Sequence, residues 1–183
     1  MATDRVDSVR ISDEALKLLR SGGLEAVSLR RIAAGLEVGA STLYWHIRDK
    51  DALLTALSQR IFRDCLDAVG VQADWRGWLR AFGLALWQAQ IEIPDIRKLI
   101  VLARPEPDRQ RATMSEISDT LRGLGMAEED ATAAQRSVQA LVTGWTTLVA
   151  DRVPVLADER ASFGRALDAL IAGWEPQRPS HPM

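Results

Sequence analysis

The residues Ser41, Thr42, Tyr44, His46 and Lys50 bring hydroxyls, a phenol, an imidazole and an ammonium group into one short stretch. Side chains of these types donate to phosphate oxygens and reach the donors and acceptors on base edges. Upstream, Ser28 and Arg30 place a capping hydroxyl and a guanidinium at the start of another short helical segment, where free helix-start amides also favour an anion. The chemistry implied is recognition of a polyanion rather than catalysis. His46 has neither a Cys nor a second His at ligand spacing, and Cys65 is the only cysteine, which excludes an internal disulfide. The sequence contains no recognisable nucleophile–base pair, metal cluster or phosphate-binding glycine loop, so an enzyme is not expected, and neither a cofactor nor a metal.

Such residues act only if short helices hold them outward. Apolar residues recur at helical spacing almost throughout, with no alternating strand pattern and no repeat, so the fold class is all-α. A first helix is expected over about 9–20, burying Ile11, Ala15, Leu18 and Leu19, with Asp7 as its cap and Gly22-Gly23 as its end. Ser28 caps a second, whose apolar stripe is Leu29, Ile32, Ala33 and Leu36. After a turn at 37–40 a very short third helix covers 41–46, and a fourth starts after Asp49 and runs toward Val69. Two short helices across a tight turn form a helix-turn-helix, the second placing its side chains in a major groove.

Beyond Gly70 the helices lengthen, become rich in Trp and are divided by Pro94, Pro105, Pro107 and Pro154. Helices are expected at about 75–92, 95–103, 108–123, 127–151 and 158–174. The organisation predicted is a helix-turn-helix DNA-binding domain over 1–69, a larger helical domain over 70–175 and a disordered tail over 176–183. A net charge of -2 argues mildly against a nucleic-acid partner, but the first 60 residues are net +1 and the remainder -3, so the pattern of residues decides. With no apolar run of about 18 residues and no leader-like start, a cytoplasmic protein is expected, with no membrane partner.

Ser28-Leu29-Arg30-Arg31-Ile32-Ala33, then Val38, Thr42-Leu43-Tyr44-Trp45-His46-Ile47 and Lys50-Asp51-Ala52-Leu53-Leu54 together resemble the tetracycline-repressor (TetR/AcrR) family over roughly 9–61. The resemblance implies a homodimer built on the C-terminal helices and a pocket whose effector reorients two DNA-reading heads on an operator. It puts Arg30, Thr42, Tyr44, His46 and Lys50 on DNA-contacting positions, and Leu43 and Trp45 partly on packing positions; Trp45 is expected to pack. Two positions depart from the family pattern. Glu37 stands where a glycine is usual, and Ala40 where a longer base-reading side chain is common. The histidine-held drug chelate of the family's namesake is not expected, because the only histidines are His46 and His181.

Trp78, Phe82, Trp87, Met114 and Trp145 lie on the helices expected to surround that pocket, where flat, polarizable side chains suit an apolar ligand and serve equally well as core. Val138, Leu141, Trp145, Phe163, Leu167, Leu170 and Trp174 give the last two helices more apolar surface than a monomer should expose, so they form the expected dimer interface. A competing reading is a helical adaptor that binds another protein through the same head. Salt separates the two, since phosphate contacts weaken steeply as it rises.

Overall fold

The structure, a computed structural model, describes residues 7–150 and 158–175. The tail expectation for 176–183 lies outside them. Every regular element among the described residues is helical: α1 Ser8–Ala26, α2 Leu29–Gly35, α3 Ala40–Tyr44, α4 Lys50–Asp67, α5 Trp75–Glu92, α6 Ile96–Leu102, α7 Pro107–Gly123, α8 Glu128–Ala150 and α9 Glu159–Ala172. None is long and apolar enough to cross a membrane.

The chain forms two compact units, and neither is continuous in sequence. The first takes the described residues up to Asp67 together with Gln88–Gln110, and the second takes Ala68–Trp87 together with the described residues from Arg111 onward. The chain first changes unit between Asp67 and Ala68, and 88–110 returns to the first unit.

In the first unit, Asp7 caps α1 by accepting from the Arg10 amide at 2.8 Å. The apolar stripe of Ile11, Ala15, Leu16 and Leu19 is buried against α2 and α4. The helix runs past its expected end. Gly22 and Gly23 leave helical dihedrals, Gly23 at φ 65°, and helix resumes to Ala26. At Gly23 a side chain would be strained and its Cβ would run into the Asp95 carboxylate. That carboxylate accepts from the Leu24 amide at 3.0 Å and from Lys98 Nζ at 2.8 Å, while Asp95 itself sits left-handed at φ 55° just before α6. The kink in α1 is therefore a docking point for the turn into α6. Helix α4 buries Leu53, Leu54, Leu57 and Ile61 between α1 and α6, and Arg60 pairs with Asp64 at 2.7 Å and with Asp13. The segment after α6 is tied back to it by the Arg104 amide on Thr55 Oγ1 at 2.9 Å and Arg109 Nη1 on Gln59 Oε1 at 3.2 Å. Burial pushes the Cys65 thiol up to about 11, so it packs as a small apolar group.

In the second unit the buried faces of α5, α7, α8 and α9 supply Phe82, Leu121, Val138, Val142, Phe163 and Leu167, each closed from solvent. Three of these helices converge at Gly83, where an added Cβ would lie 2.8 Å from Leu167 Cδ2 and 3.1 Å from Val138 Cγ1. Close approach of helix backbones demands the missing side chain. This packing corrects part of the expected dimer surface: Val138, Phe163 and Leu167 have no accessible surface left to offer a second chain.

Candidate nucleic-acid interface

Ser28 is extended and its Oγ accepts from the Arg31 amide at 3.3 Å, starting α2. Ile32 and Ala33 anchor that helix, which leaves Arg30 exposed at its first turn. The chain then turns. The Val38 amide donates to the Ala33 carbonyl at 3.0 Å and Glu37 adopts φ 56°, so the tight left-handed turn is kept with a glutamate carrying the strain. The Thr42 amide donates to the Gly39 carbonyl at 3.0 Å, and the Ile47 amide to the Leu43 carbonyl at 2.8 Å.

Leu43 is fully buried and Ile47 is 6% exposed, and these two residues fix which way α3 faces. Ser41, Thr42, Tyr44 and His46 are therefore turned to solvent, Tyr44 by 58%. Trp45 corrects the packing expected of it. It is 89% exposed, because Leu43 and Ile47 already fill the core side of the short helix. At the next helix start, Asp49 accepts from the Ala52 amide at 2.8 Å through Oδ1 and from Arg48 Nε at 2.9 Å through Oδ2. The amide bond first, and then the guanidinium, hold its carboxyl below the usual carboxylate range. Asp49 thereby occupies Arg48 and caps α4, leaving Lys50 exposed with no carboxylate partner among the described residues. The structure brings Ser41, Thr42, Tyr44, His46 and Lys50 onto consecutive turns of one exposed segment, with Ser28 and Arg30 at the start of the helix that braces it.

The model of bacterial regulatory proteins of the tetR family matches residues 11–57, the span of α1 to α4 that holds these residues. The class D tetracycline repressor protein of Escherichia coli is 26% identical over 171 residues, covering 91% of this chain and 77% of its own. Among solved structures, a tetracycline repressor variant of Acinetobacter baumannii AYE crystallised with minocycline superposes with a TM-score of 0.71 at 28% identity, covering 96% of this chain and 99% of that one. Residues 11–57 thus match the tetR-family DNA-binding domain, and the chain shares the fold of that solved repressor. A further structure of similar fold is BioQ, solved with its double-stranded DNA operator, with a TM-score of 0.62 at 26% identity over 92% of this chain and 98% of that one.

The residues expected around a ligand fall into two aromatic groups of the second unit, with Met114 outside both. Trp78 stacks on Phe82 at 5.0 Å. Trp87 stacks on Phe163 at 5.8 Å, and Trp145 meets the same ring edge-on at 5.9 Å. Met114 is half-buried on α7. Leu141 and Trp145 on α8, Leu170 on α9 and Trp174 just past it are half-buried, and Leu148 is 69% exposed. Sequence reasoning passed over two positioning residues. Asp49 carried a readable signal, an Asp three residues before a helical amide; Asp95 carried none, since its partner lies across the fold.

Proposed function

We propose that this chain is a ligand-responsive transcriptional repressor that binds a pseudo-palindromic operator as a homodimer and is released by a small apolar or amphipathic effector. It works in the cytoplasm and catalyses no reaction. One observation carries the reading: buried Leu43 and Ile47 force Thr42, Tyr44, Trp45 and His46 outward on a helix short enough to enter a major groove, with the unpaired Lys50 beside them. The phenol and imidazole read base edges, Lys50 and Arg30 neutralise phosphates, and the exposed Trp45 ring lies against the sugar–phosphate wall. Two heads about one helical turn apart, roughly 34 Å, match two half-sites. A coupling of about 1–3 kcal/mol between effector and operator suffices to change occupancy by roughly 5 to 150-fold. The minocycline and operator complexes of its relatives support this reading.

The test is selection of bound genomic fragments by the purified protein, followed by titration of the enriched site over a range of salt. A palindrome whose affinity falls steeply with salt is expected, with Lys50→Ala lowering the logarithmic salt slope by about 1 and Tyr44→Ala weakening binding without loss of helix content. Affinity unchanged in both variants would remove the residue assignment. No enrichment, or salt-insensitive capture of a protein, would replace the repressor with the adaptor.

A further inference from the structure

Two indoles flank the Phe163 ring, and only one of them is satisfied. Trp145 donates its Nε1 hydrogen to Glu159 Oε2 at 3.2 Å. Trp87 is 8% exposed, lies nearly parallel to Phe163 with 15° between the planes, and its buried Nε1 has no acceptor. Gln135 Nε2 is the other buried side-chain atom in that condition among the described residues. The two are not equivalent. An amide offers both a donor and an acceptor and its two ends can exchange, whereas an indole nitrogen only donates and has no alternative arrangement. Phenylalanine would supply a similar stacking face without the stranded donor, so the apolar packing alone does not call for tryptophan. The Arg160 guanidinium lies 6.0 Å from the Trp87 ring centroid, a positive neighbour that favours an electron-rich oxygen nearby and disfavours a cation.

We propose that Trp87 Nε1 is the donor by which this regulator recognises its effector, and that the effector is a flat aromatic ketone. Its rings lie against the half-buried Trp145 and the edge of Trp87, over the closed Phe163, and its carbonyl oxygen accepts the indole hydrogen. The proposal rests on the ligand-responsive reading above and names the chemistry of that ligand. The hydrogen bond adds to an apolar contact that a hydrocarbon of the same shape would also make. Selection between ketone and hydrocarbon therefore resides in position 87.

The probes are 9-fluorenone and fluorene, matched in ring shape and differing in the carbonyl, with the full-length protein labelled at its six indole nitrogens. The indole cross-peak that disappears in Trp87→Phe identifies this residue; where that variant fails to fold, it is the peak in contact with the Phe163 ring protons that persists in Trp145→Phe. The peak is expected to move downfield with 9-fluorenone and to stay with fluorene. Trp87→Phe should bind 9-fluorenone about tenfold more weakly and fluorene equally well, the ratio expected from one neutral hydrogen bond. A stationary peak, no saturable binding of 9-fluorenone, or a ketone preference that survives Trp87→Phe would overturn the proposal. Operator release is followed in parallel. If the peak moves while the operator stays bound, the repressor reading fails and the Trp87 assignment stands; release of the operator with an unmoved peak means the reverse.

Discussion

The head and the aromatic core of the second unit solve opposite problems with similar residues. In the head, the apolar side chains Leu43 and Ile47 do nothing but hold position, and the residues with chemistry, Tyr44, Trp45 and His46, stand in solvent. In the second unit buried Trp87 and half-buried Trp145 pack on Phe163, and the handle of Trp145 is used internally by Glu159. A partner as large as DNA must meet exposed groups, whereas a small ligand can be read by buried ones. Exposed aromatics therefore announce a function, while buried aromatics look the same whether they pack or bind.

The sharpest way to break this comparison is to remove the ring on which the inner cluster is built. Phe163→Ala should lower stability by about 3–5 kcal/mol, since a fully buried aromatic leaves a cavity beneath two tryptophans. Chemical denaturation checks this, and a loss under about 1 kcal/mol would mean that the cluster is not core. A smaller effect is expected in the first unit. Gly23→Ala should cost about 2–3 kcal/mol, combining the left-handed dihedral with loss of the charge-assisted bond from the Leu24 amide to Asp95. Thermal unfolding of that variant beside Asp95→Asn separates the two contributions, because only the glycine carries the dihedral.

The Asp95 carboxyl is held below the usual carboxylate range by Lys98 first and the Leu24 amide second. Its pKa is lower folded than unfolded, so on acidification the unfolded chain takes up the proton first. The stabilisation is complete above the ordinary carboxylate value and is lost as pH falls through the folded one; Asp49 behaves likewise. Wild type should therefore lose stability on acidification below that range by more than Asp95→Asn does, and parallel pH curves would contradict the docking role. The smallest effect has the opposite sign. Glu37→Gly should stabilise the head by about 1 kcal/mol, because glycine takes φ 56° without the clash a side chain brings, less its own greater freedom when unfolded. Denaturant midpoints check this, and a destabilised Glu37→Gly would mean that the glutamate side chain holds the turn.

Much of this was legible in one dimension. Helix spacing, the caps Asp7 and Ser28 and the breaks at Gly22-Gly23 and the prolines placed the helices to within a few residues, because they are signals carried by neighbours in sequence. The continuation of α1 to Ala26 was not legible, since only Asp95, 71 residues from Leu24, makes the kink worth keeping. Trp45 was misread for a related reason. A tryptophan in a small domain suits a core, and that Leu43 and Ile47 had already filled it emerges only from the packed helices. Val138, Phe163 and Leu167 looked like surplus apolar surface because a helical stripe does not reveal whether its own chain covers it; Gly83 lets α5 close over them.

What the sequence determined by itself is the all-helical class and the two short helices across a tight turn, because those depend on periodicity, capping and the types of side chain at close spacing. What only the tertiary structure decided is which aromatic rings face outward, which stripes are core and which buried donor lacks an acceptor. Burial is a property of what arrives from elsewhere in the chain, and no local pattern contains it.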